Sequence, residues 1–97
     1  MDLVFEIEKS NIQRVKDKLL ADDLVSRASI IFRDGIGIGM GDKYYCYISG
    51  SEEVCKRAEE IIYIFGRMLE EKIRNQIIKK IKEEEEKAIE GFGGIFG

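Results

Sequence analysis

The chain opens on an alternation. In "LVFEI" (3–7), Leu3, Phe5 and Ile7 fall on one side and Val4 and Glu6 on the other, the period of two that marks a short strand. The period then lengthens. Ile12, Val15 and Leu19 stand at i, i+3 and i+7, one stripe of an amphipathic helix ending near residue 21, and "SNIQ" (10–13) before it is a capping box with Ser10 as cap. "ADDLVSR" connects this helix to a run of β-formers, "ASIIF" (28–32). "DG" at 34–35 and "GD" at 41–42 are hairpin turn signals, so "IGIGM" between them and "KYYCYI" (43–48) after them complete a predicted three-stranded antiparallel meander over 28–48. A second capping box, Ser49 to Glu52, opens a helix predicted to cover about residues 51–90, since Gly66 alone costs only about 1 kcal/mol against alanine.

The two turns fix a register. One sheet face carries Ile30, Phe32, Gly37, Gly39, Tyr44, Cys46 and Ile48; joined by Leu3, Phe5 and Ile7, it is the face expected to pack beneath both helices. The other carries Ile31, Arg33, Ile36, Ile38, Met40, Lys43, Tyr45 and Tyr47. The expected fold is an α+β two-layer sandwich, βαβββα, with an antiparallel or mixed four-stranded sheet and both helices on one face, a relative of the ferredoxin-like plan. Residues 1–90 form one domain, and 91–97 a flexible Gly/Phe tail.

That arrangement leaves apolar surface without cover. Ile31, Ile36, Ile38, Tyr45 and Tyr47 would form a larger exposed patch than a monomer usually shows. A helix over 51–90 would span about 60 Å and outrun the body, leaving Leu69, Ile73, Ile77 and Ile81, at steps of four, in need of a partner as well. The steps break the heptad, because Lys72, Gln76 and Lys80 stand where alternating three-four spacing wants apolar residues, so packing on a neighbouring subunit is expected rather than a long coiled coil. In "GFGGIFG" (91–97), Phe92, Ile95 and Phe96 read as anchors of a docking peptide on a glycine tether.

Composition narrows the function. The 97 residues carry a net charge of −3 and 36% charged residues, with no His, Pro or Trp. The weight of Lys, Glu and Ile is that of heat-adapted proteins, and a thermophilic source is expected. No apolar run reaches the roughly 20 residues of a membrane span, and the acidic N-terminus is not a signal region, so a cytoplasmic protein is expected. Two cysteines, Cys46 and Cys55, give no disulfide framework and read as small buried hydrophobes.

Candidate chemistry is sparse. Without histidine the commonest acid–base group and metal ligand is missing. The glycines at 35, 37, 39 and 41 do not satisfy G-x-G-x-x-G, lead into a strand rather than a helix, and lack the GK[ST] of a P-loop. Cys55 sits in the first turn of a helix, where a thiol can be activated. "YISGSEEVCKRAEEII" (47–62) is similar to the end of RNA-binding KH modules, but the GxxG loop that clamps the phosphates is absent. Residues 67–82 hold six basic residues against Glu70 and Glu71, and "EEEEKAIE" follows at once, a pairing of blocks that suits protein contact better than a phosphate backbone.

The expectation is therefore a non-enzymatic, cofactor-free assembly or adaptor protein that forms a homo-oligomer, with a protein partner for the C-terminal tail. The alternatives are a small-molecule or nucleotide sensor with the Tyr45/Tyr47 face as a pocket wall and, third, a weak RNA-binding module.

Overall fold

A computed structural model describes the backbone of residues 1–96 and the side chains of residues 1–87. The elements run β1 (Asp2–Ile7), α1 (Ile12–Ala21), β2 (Ser29–Asp34), β3 (Tyr44–Ser49), α2 (Glu52–Ile62), β4 (Gly66–Met68) and α3 (Glu71–Phe96). Short 3-10 turns at Lys9–Asn11 and Val25–Arg27 lead into and away from α1. The strands form one antiparallel sheet in the order β2-β3-β1-β4. The fold is α+β with three α-helices, not the two of βαβββα.

One face of the sheet is packed as its alternation requires. Leu3, Phe5, Ile7, Cys46 and Ile48 are buried together with Val15 and Leu19 of α1 and Cys55, Ala58 and Ile62 of α2, with Ile30, Phe32 and Tyr44 packed at the margin. These are the strand residues expected beneath the helices. The helix starts differ from the capping boxes. Asn11, not Ser10, is the N-cap of α1, and Ser51, not Ser49, caps α2, its hydroxyl accepting the Val54 N–H at 3.3 Å. Ser49 stays in β3, paired with both Asp2 and Ser29.

The meander loses its middle strand. Residues 35–43 form a loop in which the Gly37, Ile38 and Gly39 N–H groups donate to the carbonyls of Asp34, Gly35 and Ile36, successive i to i−3 bonds that coil the backbone. An alternation of glycine and isoleucine mimics the strand period, yet here Ile38 and Met40 pack without a partner strand into a second cluster of buried residues that includes Tyr45, Tyr47, Ile77 and Ile81. Gly35 is held so closely that a Cβ there would lie 2.5 Å from the Gly41 carbonyl oxygen.

The single helix over 51–90 is also corrected. It breaks after Ile62, and residues 66–68 become β4, pairing Gly66 with Ile7 and Met68 with Phe5. The free edge of β1 supplies what local propensity could not: a ladder for this segment, continued by the Leu69 N–H donating to the Val4 carbonyl at 2.9 Å. A Cβ at Gly66 would come within 2.7 Å of the Glu6 carbonyl oxygen, so this close approach needs glycine. After β4 the chain has crossed to the other side of the sheet, and α3 lies on the face that was expected to be bare.

Candidate interaction surface

The predicted interface residues meet each other within one chain. Tyr45 and Tyr47 of β3 and Val4 of β1 are buried against Leu69, Ile77, Ile78 and Ile81, with Ile31, Met40, Ile73 and the loop residue Ile38 completing this second core. The apolar patch on the sheet and the apolar stripe on the helix cover each other. Burying a side chain such as Ile77 or Ile81 contributes about 1.5–3 kcal/mol, so the pairing accounts for both sets without a second subunit. Ile36 alone of the predicted sheet residues is exposed, at 63%, on the loop. Phe92, Ile95 and Phe96 lie outside the residues whose side chains are described.

Both thiols are buried, and several of the charged groups are engaged in ion pairs. The Cys46 thiol is pushed up to about 12 by burial, and burial likewise raises that of Cys55, whose Sγ lies 3.5 Å from the Met1 carbonyl oxygen; both are protonated at neutral pH. Tyr45 donates from its hydroxyl to Glu6 Oε2 at 3.3 Å, and burial followed by the charge of Glu6 holds the phenol above its ordinary value. Asp22, one of the two adjacent acids, accepts the Val25 N–H (3.0 Å) and the Leu24 N–H (3.1 Å) on one oxygen and Arg57 Nε (2.9 Å) on the other. At the opposite end of α1, Lys9 bridges Asp34 and Asp42, and Lys43 pairs with Glu8. An open cleft of about 330 Å³ lies beside this network, lined by Glu6, Glu8, Lys43, Phe65, Gly66 and Arg67. Its charges neutralise one another, with Glu6 also 3.5 Å from Arg67. Among the described residues no three His, Cys, Asp or Glu side chains are placed to hold a metal ion. No helix among them is long and apolar enough to cross a membrane.

What remains open is the edge of the sheet at β2. Among the described residues no strand follows it in the sheet order. The Gly35 N–H donates to the Lys43 carbonyl, which makes 35–43 a hydrogen-bonded pair; antiparallel alternation then turns the groups of Arg33, Ile31 and Ser29 toward β3. The backbone N–H and C=O of Ile30 and Phe32 therefore point away from the sheet. Side chains on both faces of this strand stop short of full burial: Ile30 and Phe32 at the margin of the first core, Ile31 at that of the second. β3, with a neighbour on each side, buries four of its six residues. Lys16 lies over the Phe32 ring, 5.3 Å from its centre, and Tyr44, at 5.8 Å. Arg33 folds along the edge, its Nη1 donating to the Phe32 carbonyl at 3.0 Å and its Nη2 3.5 Å from Glu85 of α3.

Sequence reasoning passed over this edge because the expected meander placed the same strand beside a partner on one side and said nothing of the other. The signal is "IIF" at the centre of "SIIFRD", where Ile30, Ile31 and Phe32 put apolar side chains on both faces and only Arg33 and Asp34, at one end, carry charge. No protein-family model, curated protein or solved structure matches the chain.

Proposed function

We propose that this chain is a non-catalytic assembly or adaptor domain that acts through protein–protein contact, built on a ferredoxin-like unit with α3 added behind the sheet. The order β-α-β-β-α-β over residues 2–68, with the strand order β2-β3-β1-β4, supports the ferredoxin-like part of this reading. The observation that carries the functional part is the open β2 edge: a six-residue strand whose outward N–H and C=O groups are aligned and whose central side chains, Ile30, Ile31 and Phe32, are apolar. Such an edge binds an added strand, through main-chain hydrogen bonds for affinity and alternate side chains for selectivity. The sensor alternative has less support, since Tyr45 and Tyr47 are buried beneath α3 rather than lining a pocket. Phe92, Ile95 and Phe96 offer a second protein contact; replacing Phe92 and Phe96 by serine would weaken it without loss of fold stability.

Native mass spectrometry of the full chain, run beside a thermal-shift screen of nucleotides and small metabolites, tests the reading. Association with itself or with another protein, and no stabilising small ligand, is the expected result. A strict monomer that gains several degrees with a small ligand would overturn it.

A further inference from the structure

We infer that the occupant of the β2 edge is a second copy of this chain, paired antiparallel about a two-fold axis at Ile31, so that two sheets join into one of eight strands. This rests on the protein-contact reading above and adds to it the partner, the register and a residue that opposes assembly.

The register follows from which groups are free. On the outer edge, the Phe32 carbonyl is covered by a side chain alone, and both groups of Ile30 and the Phe32 N–H face outward. Of the neighbouring outward groups, two are spent: the Asp34 carbonyl accepts the Gly37 N–H at 3.1 Å, and the Ala28 N–H donates to the Val25 carbonyl at 2.9 Å. A two-fold axis perpendicular to the sheet keeps each residue on its own face, so the axis must pass through a residue position. Centred on Ile31, the Ile30 N–H donates to the Phe32 carbonyl of the second copy and the Phe32 N–H to its Ile30 carbonyl. Symmetry doubles these to about four main-chain bonds, which use both groups of Ile30 and of Phe32, and the Asp34 N–H then stands opposite the Ala28 carbonyl of the second copy.

The side chains agree. In this register Ile31 faces its own counterpart on the α3 side, Ile30 faces Phe32 on the α1/α2 side, and Ser29 faces Arg33. Apolar residues thus meet apolar residues at the three central positions, and the part-buried margins of both cores close on each other. The other centres do worse. At Phe32, Ile31 meets Arg33 and Ile30 meets Asp34. At Arg33, two guanidinium groups stand opposed. At Ile30, Phe32 meets Ala28, outside the strand. A self-complementary edge with one good register is what an isologous interface requires.

Arg33 works against this contact. Its guanidinium covers the Phe32 carbonyl that the incoming Ile30 N–H must reach, and Glu85 holds it from the other side. Assembly requires Arg33 to swing off the edge, which makes it a cover that sets the concentration at which pairing begins.

Sedimentation velocity on the full chain from micromolar to millimolar, with site-resolved amide exchange, tests the inference. The parent is expected to pass reversibly from monomer to dimer, and the Ile30 and Phe32 amides to become protected as it does. Arg33→Ala is expected to tighten the dimer about tenfold, the scale of one freed hydrogen bond to a charged group. Ile30→Pro removes an outward donor without touching the β2–β3 ladder, and is expected to abolish the dimer with the circular dichroism of the monomer retained. If Ile30→Pro does not fold, amide exchange on the parent and Arg33→Ala still decide. A dimer of unchanged affinity in folded Ile30→Pro, or rapid exchange at Ile30 and Phe32 at every concentration, overturns edge pairing and leaves the broader reading standing. A chain that stays monomeric, Arg33→Ala included, overturns self-pairing, whereas the broader reading falls only with the small-ligand result described above.

Discussion

The Asp22 carboxylate joins three segments that no strand connects: it receives the N–H groups of Leu24 and Val25 at the turn after α1 and the Arg57 guanidinium from α2. The Val25 N–H first, and Arg57 next, hold its pKa below the ordinary 3.8. A lowered carboxylate pKa means that the folded state binds its proton less readily than the unfolded chain. The stability it contributes is therefore full above the ordinary value and is lost as pH falls through its own lower one. Asp22→Asn should be less stable than the parent at pH 7, and the difference should shrink toward pH 3; urea melts at both values measure it, and a pH-independent difference would contradict the charge-based account. The cysteines make the opposite case. Buried with raised pKa values, Cys46 and Cys55 should not react with a thiol reagent in the native chain, and both should react once urea unfolds it. Prompt labelling of Cys55 without denaturant would revive it as an activated thiol at a helix start.

At the scale of elements, what was legible depended on whether local pattern and long-range pairing agreed. The strand around Leu3, Phe5 and Ile7 and the helix stripe of Ile12, Val15 and Leu19 were readable because their periods are met by the core they enter. The stripe of Leu69, Ile73, Ile77 and Ile81 was readable too; its partner was not, because nothing local tells that a helix will return across the far face of the sheet. The break at Gly66 was hidden by the weak penalty for glycine in a helix, and its cause, a close approach to the Glu6 carbonyl, is tertiary. The glycine loop failed for the reverse reason: a period of two without a strand to pair with. The face of Tyr45 and Tyr47 is legible as apolar; that a third helix, α3, packs on it is not. If α3 is a true second layer, Ile77→Ala should cost about 2–5 kcal/mol in equilibrium unfolding, the range for deleting a fully buried isoleucine. A cost below about 1 kcal/mol would mean that α3 rests on the sheet without forming a core.

Across the whole molecule, helices cover both faces of the sheet, so its largest unsatisfied features are its edges. The β4 edge is three residues long; the β2 edge is six, with apolar side chains on both faces at its centre, Ile30 to Phe32. An edge of that kind invites pairing, and the side chain laid across it, Arg33, moderates pairing without removing it. Under the proposed pairing two copies meet there with Ile31 on the axis. Ile31 belongs to a hydrogen-bonded pair with Tyr47 on its inner side, so across the proposed axis it forms a non-bonded pair, with Cα atoms about 4.5 Å apart and within disulfide reach. In the same register Ser29 stands opposite Arg33, and its own counterpart lies about 13 Å away along the strand. The native cysteines, buried and protonated, do not compete. Mild oxidation of Ile31→Cys, with Ser29→Cys beside it, is therefore the most direct measurement. Ile31→Cys is expected to give a covalent dimer that keeps the circular dichroism of the parent, and Ser29→Cys none; no cross-link at position 31, or equal cross-linking at both positions, would rule out pairing about Ile31.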